Sequence, residues 1–443
     1  MSSTPRLSVV GLGKLGSPMA ACFAAKGFTV VGVDMDAGKV ADISALRPPV
    51  FEPGLAETLA AGRDRLTATT DLTAAVAGTE ATFLVVATPS GEDGTFSIEW
   101  ILAACETVGR AIGEKEGYHL VVLTSTVMPG ATDGPIREAL ERASGKRCGE
   151  DFGLCYSPEF IALGSVIRDF LNPDFLLVGE SDERPGDLLA SIYERTCENA
   201  PPVARMSFVN AELTKISVNT YVTTKIAFAN MLARICERLP GADVDIVTAA
   251  LGRDTRIGSK YLKGAVAYGG PCFPRDNIAL GALGRLLGVP AAVAEATDRS
   301  NRADVAALAA TVGTHLPEGG TVAVLGLSYK PSTDVSEEAA GLHLAGALAA
   351  SGMAVTVFDP AASAGARRVL GGSVTYAPSA EECIAGADVI VLTTPWPELV
   401  ALPAATYGRV GTPRVVIDCW RVLDESTVAA HARYVALGRG PQV

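Results

Sequence analysis

Apolar residues along this chain fall into short runs cut by glycine, proline and polar clusters, and the runs come in two textures. Residues 7–10, Leu-Ser-Val-Val, form a short, mainly apolar stretch followed by Gly11-Leu12-Gly13-Lys14-Leu15-Gly16, a helical pattern through Ala25, and a second apolar run over 28–33 that ends at Asp34. Runs over 81–87 and 119–123 read as buried parallel strands, because both faces of such a strand are covered and alternation disappears. Further strands are expected just before Tyr156 and over 175–178. Over 210–239 the texture changes: apolar residues recur at helical spacing with neither Gly nor Pro, which predicts one long helix. A second strand-and-helix rhythm then begins near Gly320, with strands over 321–325, 354–358, 387–392 and 414–417. The expected fold is α/β: two Rossmann-like doubly wound domains joined by a central helical domain with a long spine helix. The expected boundaries are 1–205, 206–305 and 306–443.

Composition narrows the function classes. The chain has 443 residues, 48% hydrophobic and 19% charged, which excludes wholesale disorder. Its formal charge of −12 argues against a nucleic-acid partner or an anionic membrane surface. No apolar run reaches the roughly 20 residues of a membrane span, and the start has no signal-peptide pattern, so a soluble, cytoplasmic protein is expected. Nine cysteines and four histidines are scattered without CxxC or ligand spacing, so no metal site is expected.

The first turn has the order strand, GxGxxG, helix, strand, acid. Gly11, Gly13 and Gly16 permit a tight turn and close approach of a pyrophosphate, with Leu12 and Leu15 between them; the helix N-terminus favours the phosphate charge. Asp34, 18 residues after Gly16, can accept from both ribose hydroxyls and would repel a 2′-phosphate, so NAD is expected rather than NADP. Thr88, Pro89 and Ser90, with Ser125 and Thr126, follow strand ends, where open α/β sheets bind ligands. Lys215 and Asn219 lie one turn apart on one face of the long helix. The loop Tyr268-Gly269-Gly270-Pro271-Cys272-Phe273-Pro274-Arg275-Asp276 surrounds one thiol with two glycines, two prolines, a cation and a carboxylate. A thiolate beside a nicotinamide site suits aldehyde-level chemistry: thiohemiacetal, hydride loss, thioester, hydrolysis. Read alone, the loop equally fits a tight turn around a buried cysteine.

In their order, GLGKLG, Ser125-Thr126-Val127, Ser157-Pro158-Glu159-Phe160, AELTKISVNT, Arg256-Ile257-Gly258, GGPCFPRD and Gly326-Leu327-Ser328-Tyr329-Lys330 resemble the UDP-glucose/GDP-mannose dehydrogenase family over nearly the whole chain. The resemblance implies an NAD domain, a helical domain that forms a homodimer, and a C-terminal domain for a nucleotide sugar. The implied reaction oxidises a sugar C6 alcohol to a carboxylate with two NAD. It implies Cys272 as nucleophile, Lys215 and Asn219 as oxyanion donors, and Thr126 and Asp276 as groups that place water or move protons. Glu159 is implied to assist thioester hydrolysis, and Lys39 to lie near the adenosine ribose. Arg256 resembles an arginine that reaches a neighbouring subunit's sugar site. Phe160, Tyr268, Gly269, Gly270, Tyr329 and Lys330 are implied substrate contacts.

Three positions depart from the family pattern. Leu163 stands where a second glutamate is usual, Glu337 where an arginine is usual, and Trp420 where an arginine is common, with Arg421 next to it as the substitute substrate contact. CFPRD and the preceding RIG resemble the UDP-glucose branch, making UDP-glucose the expected substrate. A UDP-N-acetylhexosamine or GDP-mannose enzyme is the alternative within the mechanism. A two-electron β-hydroxyacid-type dehydrogenase and a non-catalytic nucleotide-sugar binder are the alternatives outside it.

Overall fold

The computed structural model describes residues 4–411 and 413–441; the extreme residues of the expected first and third domains therefore lie outside the described residues. The chain forms two compact units, one ending at Ser217 and the other beginning at Val218.

The first unit is built on an eight-stranded sheet of β1 (Leu7–Val10), β2 (Val30–Val33), β3 (Leu66–Thr69), β4 (Ala81–Leu84), β5 (His119–Leu123), β6 (Phe152–Tyr156), β7 (Leu176–Glu180) and β8 (Val203–Met206), in the order β3-β2-β1-β4-β5-β6-β7-β8. The pairing is parallel except between β6 and β7. Both faces are covered: Leu7, Val9, Phe83 and Val122 enter one core, whereas Val10, Leu84, Val121 and Leu123 enter the other. Phe23 anchors the first core, with Phe28, Phe83 and Phe170 packed around its ring.

The second unit carries a six-stranded, all-parallel sheet of β9 (Thr321–Leu325), β10 (Ala354–Phe358), β11 (Thr375–Tyr376), β12 (Val389–Leu392), β13 (Val415–Asp418) and β14 (Arg433–Ala436), in the order β11-β10-β9-β12-β13-β14. Helices Val244–Gly252, Phe273–Leu287 and Ala292–His315 precede it. The expected long helix runs from Phe208 to Cys236, and the division between the units falls within it.

The central strands are those read from apolar runs. The missed strands, β3, β8, β11 and β14, carry exposed or half-exposed residues, so no continuous apolar run marks them. The run over 81–87 stays in the ladder only to Leu84. Val85 instead lies against the first loop, where its carbonyl oxygen would be 2.3 Å from any Cβ at Gly11. Among the described residues no helix is long and apolar enough to cross a membrane.

Candidate active site

In the first unit, three glycines of the opening turn serve different ends. Gly11 has φ +98°, and a Cβ at Gly16 would lie 1.8 Å from the Gly11 carbonyl oxygen, so these two allow strand and helix to cross in contact. A Cβ at Gly13 would meet nothing within 4 Å; that glycine faces open space at the start of the helix Gly16–Ala25. The Leu12 N–H donates to Asp34 Oδ2 at 2.7 Å and the Asp36 N–H to Oδ1 at 2.9 Å, while Lys39 Nζ lies 3.2 Å from Oδ2. Burial pulls the Asp34 carboxyl up, but these donors and the Lys39 charge outweigh it and hold the carboxyl below its ordinary value. An ionised carboxylate at the strand end and an open cradle at the helix start fit a dinucleotide with a free ribose diol. Thr88 Oγ1 donates to the Thr126 carbonyl at 2.9 Å, and Ser125 Oγ to the Val86 carbonyl at 2.5 Å, so the strand-end loops of β4 and β5 hold each other. The Pro89 carbonyl accepts from the Ser97 N–H, and Ser90 bridges to Phe96, closing the β4 loop on itself.

The segment after β6 is organised around Glu159. Its carbonyl accepts from Lys215 Nζ at 2.5 Å, and that ammonium sits 4.5 Å from the centroid of the Phe160 ring, which in turn packs on Phe175. The carboxyl points elsewhere: Oε1 accepts from the Tyr193 hydroxyl at 3.0 Å, and Tyr193 Oη lies 3.2 Å from Ser157 Oγ. Burial lifts the Glu159 carboxyl to about 7, against the opposing pull of the Tyr193 hydrogen bond and the Lys215 charge. A carboxyl of that strength can take and release a proton near neutrality.

Two buried acids hold the loops around this segment, and neither was expected. Glu52 accepts from the Gly164 and Val166 N–H groups at 2.7 and 2.8 Å, fixing the backbone beside Leu163. Glu212 accepts from the Gly130 and Thr132 N–H groups at 2.6 and 2.8 Å, just past Thr126. Their partners are distant backbone amides, which no local spacing rule reveals.

In the second unit, Cys272 is the N-cap of the helix Phe273–Leu287 and is exposed; seven of the other eight cysteines are buried and Cys197 is half-buried. Burial pushes the thiols of Cys22, Cys105 and Cys383 up to about 12, so those are inert. One turn on, Asp276 is fully buried and its Oδ2 accepts from Asn219 Nδ2 at 2.6 Å, with Arg275 Nε 3.5 Å from Oδ1. Three features thus meet at the start of this helix: an exposed sulfur at its N-terminus, which favours thiolate, a buried carboxyl group, and the Asn219 amide from the long helix with a second N–H to offer.

Several expected substrate contacts are engaged by the protein itself. Arg421, its side chain fully buried, spends its guanidinium on Asp245 and on the carbonyls of Cys419, Leu437 and Gly264, and so ties the loop after β13 to the helix Val244–Gly252. Tyr268 is engaged likewise. It is buried, its N–H and carbonyl are both held by the Asn301 side chain, and its hydroxyl accepts from Asn277 Nδ2 at 3.1 Å. Gly269 and Gly270 admit close approach of the chain itself. A Cβ at Gly269 would lie 2.1 Å from the Glu338 carbonyl oxygen and one at Gly270 2.8 Å from the Tyr329 ring, while the Gly270 N–H donates to the Glu337 carbonyl. Glu337 thereby braces the thiol loop through its backbone. Trp420 donates its indole N–H to the Thr393 carbonyl. Tyr329 and Lys330 lie together just past β9, with Lys330 Nζ 6.0 Å from the ring centroid. Arg256 is 87% exposed and paired with Asp254 at 2.6 Å.

Family models match along almost all of the chain. Residues 5–197 match the NAD binding domain of the UDP-glucose/GDP-mannose dehydrogenase family, 209–303 its central domain and 323–425 its UDP binding domain. A UDP-glucose 6-dehydrogenase of Haloferax volcanii is 37% identical over 422 residues, covering 94% of this chain and 97% of that protein. A GDP-mannose 6-dehydrogenase of Azotobacter vinelandii is 36% identical over 358 residues, covering 80% and 81%. The solved structure of a UDP-glucose dehydrogenase from Pyrobaculum islandicum superposes with a TM-score of 0.89 at 35% identity, covering 99% and 98% of the two chains.

Proposed function

The chain belongs to the UDP-glucose/GDP-mannose dehydrogenase family, and on that premise we propose that it oxidises the C6 alcohol of UDP-glucose to the carboxylate of UDP-glucuronate, with Cys272 as nucleophile. The observation that carries the reading is the exposed Cys272 thiol at a helix N-terminus, beside buried Asp276 and its partner Asn219. The functional division follows residues 1–205, 206–305 and 306–443.

The Gly11–Gly16 turn would hold NAD, which would supply the hydride acceptor for each of two oxidations. Gly13 would leave room for its pyrophosphate and Asp34, its carboxylate fixed by Lys39, would accept from its ribose diol. After the alcohol reaches the aldehyde, the Cys272 thiolate adds to the carbonyl carbon, and Lys215 and Asn219 stabilise the oxyanion of the thiohemiacetal. Loss of the second hydride leaves a thioester. Water then adds to its carbon, the C–S bond breaks, and the water proton passes to Glu159, with Thr126 and Asp276 placing water and moving protons. Tyr329 and Lys330 are the nucleotide contacts in this reading, and Phe160 lies beside the sugar.

A homodimer fits the same proposal. Tyr221, Phe228, Met231 and Ile235 are large apolar residues left exposed along the long helix, and burying them against a second copy removes that surface from water. Arg256, in a loop whose Ile257 and Gly258 carbonyls accept from Lys225 Nζ, is the residue offered to the partner's sugar site.

The test is NADH release from purified protein with UDP-glucose, UDP-GlcNAc, UDP-ManNAc or GDP-mannose. The expected result is two NADH per UDP-glucose, with the second lost in C272S. A single NADH per substrate, indifferent to C272S, overturns the mechanism. Oxidation of GDP-mannose in place of UDP-glucose keeps the mechanism and changes the sugar, an outcome that the 36% identical GDP-mannose relative makes worth including.

A further inference from the structure

The two oxygens of the Glu159 carboxyl are not equivalent. Oε1 accepts from the Tyr193 hydroxyl at 3.0 Å, whereas Oε2 accepts no hydrogen bond from any described residue. Tyr193 projects from the helix Glu183–Thr196 and is 1% exposed; its ring packs edge-on against Phe170, 6.4 Å between centroids, and its oxygen is 3.2 Å from Ser157 Oγ. A phenol held on three sides cannot follow a moving carboxyl, so it sets where that carboxyl rests. Lys215 holds the carbonyl of the same residue from the other side. Glu159 is therefore pinned at its backbone and at one oxygen, with one oxygen left over.

We propose that Tyr193 is a positioning residue that anchors Oε1 of Glu159 and so leaves Oε2 as the atom that accepts a proton from water during thioester hydrolysis. This rests on the role given to Glu159 above. The step balances without any further reactant: the water oxygen bonds to the thioester carbon, the C–S bond breaks, the sulfur leaves as thiolate, and the water proton goes to Oε2. Ser157, donating to the phenol oxygen, completes a chain from Ser157 through Tyr193 to Glu159.

The titratable groups facing this carboxyl are Tyr193, Lys215 on the long helix, Cys22 on the helix Gly16–Ala25, and Cys197. The hydrogen bond from Tyr193 favours the ionised carboxyl, so its removal makes Glu159 a weaker acid. Y193F keeps the ring and deletes only the hydroxyl. The expected result is an acid limb of the kcat profile moved up by about 0.5–1 pH unit. Below that limb, the Cys272 thioester should accumulate, visible as an acyl adduct by intact-protein mass spectrometry. A purely structural role would lower thermal stability and leave the limb where it is. If Y193F does not fold, S157A should shift the limb in the same direction by less. E159Q separates the two ideas. Slowed hydrolysis in E159Q with a wild-type acid limb in Y193F overturns the role of Tyr193 alone. Undiminished hydrolysis in E159Q overturns the assignment of Glu159, and that of Tyr193 with it.

Discussion

The opening turns of the two α/β sheets solve one packing problem and differ in everything else. In the first, Gly11 at φ +98° lies against Val85, and a Cβ on Gly16 would strike the Gly11 carbonyl at 1.8 Å. In the second, Gly326 at φ +105° lies against Thr394, and a Cβ on Gly341 would strike the Gly326 carbonyl at 2.0 Å. Four residues separate the first pair and fourteen the second. The acids at the next strand end differ as well. Asp34 accepts from two backbone N–H groups and Lys39. Asp359 is consumed by the Leu327, Ser328, Ala361 and Ala362 N–H groups, the Ser328 hydroxyl and the Trp396 indole. The outer glycines of the fingerprint are thus demanded by the strand–helix crossing, whereas the open middle glycine and the incompletely used acid are what suit a ligand. In the second turn the extra residues carry Tyr329 and Lys330 and end at Glu337 and Glu338, which pack on Gly269 and Gly270.

This contrast predicts a ranking of effects. D359A strips six donors of a buried acceptor and should cost roughly 4 kcal/mol in urea unfolding, while D34A should cost under about 1 kcal/mol and lower kcat/KM for NAD at least tenfold. Equal stability losses for the two would erase the distinction. G16A and G341A should each cost about 3 kcal/mol, because backbone must move to admit the methyl group. G13A should leave stability unchanged and raise KM for NAD; a destabilised G13A would show that the cradle is filled by the fold.

The smallest effect concerns pH. In the first sheet, His119 on β5 is buried, with Nε2 2.8 Å from Thr82 Oγ1 and Nδ1 3.1 Å from Lys115 Nζ. Lysine only donates, so Nδ1 accepts and the ring is neutral. Burial, helped by the Lys115 charge, lowers His119 to about 3. The unfolded chain, with an ordinary histidine near 6.5, protonates first. Stability from this group is therefore complete above about pH 6.5 and lost progressively as pH falls towards 3, by roughly 2 kcal/mol at pH 5. The strands β9, β12 and β13 carry no histidine, the side chain that titrates first as pH falls from neutrality. Acid should accordingly raise amide exchange in β1, β4 and β5 before β9, β12 and β13. Simultaneous loss of protection in both sheets would contradict this.

Legibility followed the range of the interaction. Both sheets' central strands, the long helix, the first turn and the thiol loop were readable because each is announced by a pattern within a few dozen residues. The resemblance implied Arg421, Tyr268, Gly269 and Gly270 as substrate contacts, and nothing nearby in sequence showed what they hold within the protein itself. Their partners, Asp245, Asn301, Glu338 and Tyr329, lie from about thirty to nearly two hundred residues away. Glu52, Glu212 and Tyr193 were missed for the same reason: an acid or phenol that serves a distant backbone or carboxyl looks, in its own neighbourhood, like any other polar residue.

Periodicity, the glycine fingerprint with its trailing acid, and the order of motifs were enough to specify two α/β sheets, a long helix, the cofactor turn and the one cysteine set apart from eight others. They could do so because backbone geometry and strand burial are dictated by near neighbours. Which donors are already spent, which glycine makes room for the chain and which for a ligand, and which oxygen of Glu159 is held were decided only in three dimensions. Hydrogen bonds and close contacts join groups by distance in space, and a linear pattern carries no record of that distance.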